Sequence, residues 1–169
     1  MKRILALCAL LLLTAACSRE DAAQTRRHAD WRTRTVPLDM DSPLESGSTY
    51  LSVYAQVYSR LDDATTSLTA TVSIRNVCRA DTVFLESVEY FDTRGDLVTR
   101  YIERPVFVLP METLEIVIPD ADGRGGSGGN FLFDWSVRPG AAEPRFEAVM
   151  ISTSGQQGLS FATQGVRVR

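Results

Sequence analysis

Histidine, lysine and cysteine are almost missing from this chain of 169 residues. The one histidine is His28, the one lysine is Lys2, and the three cysteines are Cys8, Cys17 and Cys78. Each scarcity removes a class of chemistry. His28 precedes every strand-like segment, so the part that folds can build neither a Ser-His-Asp triad nor a Cys/His metal site. Cys8 and Cys17 belong to the N-terminal apolar segment, which leaves Cys78 without a disulfide partner. Beyond Lys2 every basic side chain is an arginine, first a sign of coding bias and second a supply of planar, bidentate donors. The net charge of −3 and the mixed signs give no sign of a nucleic-acid surface. Past residue 17 no apolar run is long enough to cross a bilayer, and no ten residues show helical spacing.

What is present begins at the N-terminus. Lys2 and Arg3 precede an almost unbroken apolar run from Ile4 to Leu13, and Thr14, Ala15 and Ala16 then lead into Cys17. This is the layout of a secretory signal. A cysteine directly after the small residues predicts a bacterial lipoprotein, cut after Ala16 and acylated on the Cys17 thiol. Two or more acyl chains hold a protein stably in a leaflet. The expected organisation is a signal peptide at residues 1–16, lipidated Cys17 with a flexible polar tether over 17–48, and one domain over 49–169. Trp31 is the tether's one sizeable apolar group, suited to the bilayer interface, to docking on the domain or equally to a disordered role.

From Tyr50 the pattern alternates with a period of two. Leu51, Val53, Ala55 and Val57 form one such set, and Leu68, Ala70, Val72 and Ile74 another. Residues 83–103 read as a hairpin around Thr93-Arg94-Gly95-Asp96, and the piece around Phe107 as an edge or crossover between Pro105 and Pro110. Leu114, Ile116 and Ile118 mark the next strand. Phe131, Phe133, Trp135 and Val137 share one face, followed by strands over 145–153, 159–162 and 166–168. Seven to nine short strands with Gly/Pro turns predict an all-β fold, a single antiparallel β-sandwich of immunoglobulin-like architecture.

The stretch from Asp120 to Asn130 carries five glycines and is the most distinctive internal segment. A calcium loop fails because Arg124 and Phe131 occupy positions that need oxygen ligands. A P-loop fails because no lysine is present and a strand follows. Two readings remain, a long mobile connection and a backbone nest facing an anion beside Arg124. If residues 131–137 pair with 145–153 as a hairpin, the glycine loop and Ser154-Gly155-Gln156-Gln157-Gly158 fall at the same end. The candidate binding residues are then Arg124, Ser127, Asn130, Ser154, Gln156 and Gln157, whose neutral groups suit a glycan or a peptide. Glu86 with Glu89, and Glu112 with Glu115, read as solvated charges on opposite faces of regular strands. Cys78 reads as inert, and Tyr50, Tyr54 and Tyr58 as a stripe for contact or for packing.

Several stretches together resemble a bacterial family, the domain of unknown function 3124, often found as predicted lipoproteins. They are Val57-Tyr58-Ser59, residues 68–76, Tyr90-Phe91-Asp92 with Gly95, and Arg100-Tyr101 through Pro105. Gly126-Ser127-Gly128 with Asn130-Phe131, and residues 147–161, complete the set. The resemblance spans about residues 50–169 and implies no activity and no catalytic residues. The expected function is a lipid-anchored cell-envelope protein, exported and facing the periplasm or cell exterior. It would be non-catalytic, bound to the membrane through Cys17, and open to an envelope protein or glycan. The alternative is an envelope hydrolase with carboxylates converging from different strands. No cofactor and no metal are expected.

Overall fold

Alternation in the sequence becomes alternation in burial. The computed structural model describes residues 30–37, 43–59, 64–154 and 158–169. The strands, in chain order, begin with β1 (Glu45–Ser52), β2 (Gln56–Tyr58), β3 (Thr65–Ser67), β4 (Thr69–Arg75), β5 (Val83–Phe91) and β6 (Leu97–Arg100). They continue with β7 (Val106–Val108), β8 (Thr113–Ile118), β9 (Asn130–Val137), β10 (Arg145–Ser152), β11 (Leu159–Gln164) and β12 (Val166–Arg167). In β4, β8 and β10 every second side chain is buried: Ala70, Val72 and Ile74, then Leu114, Ile116 and Ile118, then Phe146, Ala148 and Met150. Such strands have one dry and one wet face, as an antiparallel sandwich requires.

Two antiparallel sheets face each other. The first runs β12-β1-β9-β5-β6, with β7 also paired to β5, and the second runs β11-β10-β4-β8. The fold is therefore the expected all-β sandwich. β2 and β3 form a separate small hairpin. Phe133 of β9 stacks on Phe146 of β10 at 4.3 Å between ring centroids, which ties one sheet to the other. Burying each such ring contributes about 1.5–3 kcal/mol. The Trp135 indole N–H donates to Thr49 Oγ1 at 2.9 Å. Gly47 sits opposite Trp135 in the β1–β9 register, where a Cβ would come within 2.4 Å of the indole. Only glycine lets that ring lie flat on β1.

Four expectations are corrected. Residues 131–137 and 145–153 do not form a hairpin, because β9 lies in the first sheet and β10 in the second. Both strands bury one face, and alternation alone cannot tell a neighbour in the sheet from a partner across the core. The strand expected from Tyr50 to Tyr58 breaks at residues 53–55, so the three tyrosines form no stripe: Tyr54 meets Phe161 edge-on at 5.7 Å and Tyr58 is exposed on β2. The pairing of β5 with β9 shifts between Leu85 and Ser87. Val83 and Leu85 point inward before the shift, Val88 and Tyr90 after it, so Glu86 and Glu89 share the outer face rather than opposite ones.

The fourth correction concerns the start of the domain. Glu45 to Ser48, expected in the tether, form the first half of β1. Residues 30–37 also lie against the sandwich. Thr35 bridges to Val106, and the Val36 N–H donates to Pro105 O at 3.0 Å. Arg34 grips Glu112 with two hydrogen bonds of 2.9 and 2.6 Å, and its guanidinium stands 5.6 Å over the Phe107 ring. Trp31 packs against the core, which decides its role in favour of docking on the domain. Cys17 and Ala16 lie outside the described residues.

Candidate functional site

The glycine segment is folded onto the sandwich. Asp122 N donates to Pro119 O at 2.9 Å and starts a 3-10 segment over Gly123–Gly128, broken at Gly126 where φ is 67°. The segment is pinned on three sides. Ala55 N donates to Gly126 O at 3.0 Å and Val53 N to Gly129 O at 2.9 Å. Thr93, from the β5–β6 turn, donates through Oγ1 to Gly125 O at 3.0 Å and accepts from Gly128 N at 2.9 Å. A Cβ on Gly125 would stand 1.7 Å from the Tyr90 hydroxyl, and one on Gly129 2.9 Å from Val53 O. The glycines are there because neighbouring groups fill the space side chains would need.

This corrects both readings of the loop. It is a packed cap on one end of the first sheet, not a long mobile connection. It is not an open anion nest either. The Arg124 guanidinium is folded back onto Asp122 (Nε to Oδ1 2.8 Å, Nη2 to Oδ2 2.7 Å), and the Gly128 N–H is already spent on Thr93. Arg124 holds the Asp122 carboxyl below its ordinary value, chiefly through that side-chain hydrogen bond.

Beneath the cap lies an aromatic cluster that sequence reasoning missed. Tyr90 stacks on Phe131 at 4.8 Å, and Tyr101 leans on the same ring at 5.7 Å. Tyr90 is 1% exposed, and its hydroxyl has no hydrogen-bond partner among the described residues. Burial, with the Asp122 charge adding to it, pushes the Tyr90 phenol up to about 12. Tyr101 is raised by the same two causes. The clue available in the sequence was the alternation of Val88 and Tyr90, which puts the second on the core face.

The described candidate residues, Arg124, Ser127, Asn130 and Ser154, share one end of the molecule, by a route other than the expected hairpin. Ile151 at the end of β10 pairs with Thr69, Leu68 N donates to Ala55 O at 2.9 Å, and Ala55 N donates to Gly126 O. Arg124 is exposed, Ser127 is half-buried, and Asn130 opens β9 opposite Ser52 and Phe91. Ser154 follows β10 and is exposed. Gln156 and Gln157 lie outside the described residues.

At the opposite end, a cleft of about 420 Å³ opens between the edges of the sheets, lined by Thr49, Arg145, Glu147, Gln164 and Arg167 among others. Its charges are largely paired, Arg167 with Glu143 and Arg75 with Glu147. Nearby, the Asp81 N–H donates to Cys78 Sγ at 3.4 Å, and the Asn76 side chain closes the turn through Cys78 N, Asp81 O and Val108 O. Among the described residues no cluster of three or more His, Cys, Asp or Glu side chains has the geometry to hold a metal ion. No described helix is long and apolar enough to cross a membrane.

No curated protein matches the chain. The crystal structure of Thermotoga maritima 1070 is similar over 71% of this chain and 92% of that one, at 12% identity and a TM-score of 0.44. The family described as Protein of unknown function (DUF3124) matches residues 46–168, from the start of β1 to just past β12. With nearly all of the described sandwich inside that match, the chain belongs to the DUF3124 family.

Proposed function

We propose that this protein is a lipid-anchored component of the cell envelope whose sandwich is a non-catalytic binding module for an envelope glycan. The anchor is supported by the run of residues from Met1 to Cys17. The binding reading is carried by one observation: the glycine cap is pre-set, pinned by Thr93, Val53 and Ala55 at the end where Ser127, Asn130 and Ser154 also lie. A surface ordered before it meets its ligand spares the cost of ordering on binding. Neutral hydroxyl and amide groups on such a surface suit sugar hydroxyls. Gln156 and Gln157 extend the same chemistry in sequence.

Carboxylate catalysis has less support. A glycoside hydrolase needs one carboxyl whose pKa is raised. Every carboxyl displaced from its ordinary value here, Asp92, Glu112 and Asp122, is displaced downward, by hydrogen bonds from Asp96 N, Arg34 and Arg124 respectively.

The test uses the full chain in membranes and after extraction. Wild type should fractionate with membranes and Cys17→Ser should not. The extracted protein should sediment with purified peptidoglycan or envelope polysaccharide. The pair Asn130→Ala and Gln156→Ala should weaken this by about tenfold, the loss of two modest hydrogen bonds. Cys17→Ser remaining in the membrane pellet after a high-salt wash sinks the anchor. Wild type sedimenting with neither polymer, or the double variant binding as well as wild type, sinks the glycan site.

A further inference from the structure

The glycine cap and the β7–β8 connection lie at opposite ends of β8, and the two ends differ in character. Both ends expose apolar side chains, Tyr58 and Leu97 at the cap end, but there they stand among Asp92, Asp96, Asp120 and Asp122, and the arginines beside them, Arg94 and Arg124, are already engaged by three of these acids. The other end is formed by residues 76–81, 109–112 and 138–144. It exposes Met111 by 63%, Leu109 by 49% and Val77 by 38%. Met111 is held at φ 61°, an unfavourable conformation for a residue with a side chain, and its N–H donates to Cys78 O at 3.1 Å. Beside it Arg79 is exposed and has no carboxylate within ion-pair distance among the described residues.

The N-terminal segment lies along residues 101–106 and reaches this end through Arg34. Glu112 accepts from Leu109 N at 2.8 Å, which shapes the apolar tip, and the same carboxylate takes both hydrogen bonds from Arg34. Asp30 is four residues from Arg34, and the twelve residues 18–29 that separate it from Cys17 span at most about 40 Å. A domain on so short a lead cannot stand far from the surface that holds Cys17.

We infer that this end of the sandwich rests on an anionic phospholipid bilayer, with Met111, Leu109 and Val77 in the headgroup layer and Arg79 against lipid phosphate. The inference rests on the anchor proposed above. Apolar side chains flanked by an uncommitted cation suit that interface, and the acidic cap end does not. The contact orients the cap end away from the membrane.

The test places a fluorophore on Met111→Cys or on Tyr58→Cys, each in a full chain that also carries Cys78→Ser and retains Cys17, and measures quenching by lipid-borne bromine in isolated membranes. Tyr58 is 63% exposed and lies at the cap end. The Met111 probe should be quenched several-fold more than the Tyr58 probe, and Leu109→Asp in the same chain should abolish the difference without releasing the protein. Equal quenching of the two probes in membrane-bound protein overturns the inference while leaving the anchor intact. So does a Met111 probe shielded from aqueous iodide but untouched by lipid bromine, which marks a protein partner. If the chain is not membrane-bound at all, the anchor has failed. The same probes with phosphatidylglycerol vesicles then decide the face alone, preferential quenching at Met111 supporting it and none overturning it.

Discussion

A buried hydroxyl without a partner costs about 1–3 kcal/mol, and Tyr90 carries one directly under Gly125. Two opposite outcomes follow at this point of contact. Gly125→Ala forces a methyl group into the hydroxyl and should destabilise the domain by about 1–3 kcal/mol in urea unfolding. Tyr90→Phe should leave stability unchanged or raise it, since the ring stays and only the orphan group goes. The pH dependence has a definite sign. The folded state holds the Tyr90 phenol near 12 against an ordinary 10.0, so it favours the protonated form. That contribution is whole below pH 10 and is lost as pH climbs to 12. Tyr90→Phe should therefore flatten the alkaline fall in stability. A variant as steep as wild type would mean that other groups, Tyr101 first, carry it.

Among the elements, the N-terminal segment depends most on a single pair. Arg34 and Glu112 are about four-fifths buried and joined by two bonds, while the backbone adds Val36 N to Pro105 O. Arg34→Ala should strip hydrogen-exchange protection from the Val36 amide and leave β4, β9 and β10 protected, at a cost of about 1 kcal/mol. Arg34 depresses the Glu112 carboxyl below its ordinary 4.5, so the clamp is complete above that pH and weakens as pH falls through the depressed value. Protection at Val36 surviving in the variant would show that the backbone bonds hold the segment alone. The sequence hid this element because residues 30–37 are polar and have no strand period; what docks them is a charge whose partner lies 78 positions away. β4, β8, β9 and β10 were legible for the opposite reason, as each buries one face and repeats every two residues. Leu51, Val53 and Ala55 kept that rhythm across a break between β1 and β2, because burial continues there while pairing does not. The slip at Glu86 and Ser87 was readable, since Val83 and Leu85 fall out of phase with Val88 and Tyr90.

For the whole molecule, the scarcity of cysteine leaves Cys78 as the one thiol among the described residues through which copies could be linked covalently. Cys78 is half-buried and held in its turn by Asp81 and Asn76. A fragment beginning at Asp30 should run as a monomer with or without reductant, and Cys78→Ser should cost no more than about 1 kcal/mol. A defined disulfide-linked dimer in cells would make Cys78 an assembly residue. The sandwich itself was legible from composition and period. The site was legible only as a location, since the glycines named the loop and the groups that pin it, Thr93 and Tyr90, come from a different hairpin.

The strand order also fixes a timetable. β1 is made first, yet Thr49 must wait for Phe133 on one side and Arg167 on the other. At a synthesis rate of about 5–20 residues per second, that leaves its backbone without either neighbour for about 4–17 s. Bare strands of this kind recruit one another into aggregates. The composition of β1, Glu-Ser-Gly-Ser-Thr-Tyr-Leu-Ser, carries one aliphatic side chain and a charge at its start, which makes the nascent segment a poor aggregation seed until β9 arrives to claim it.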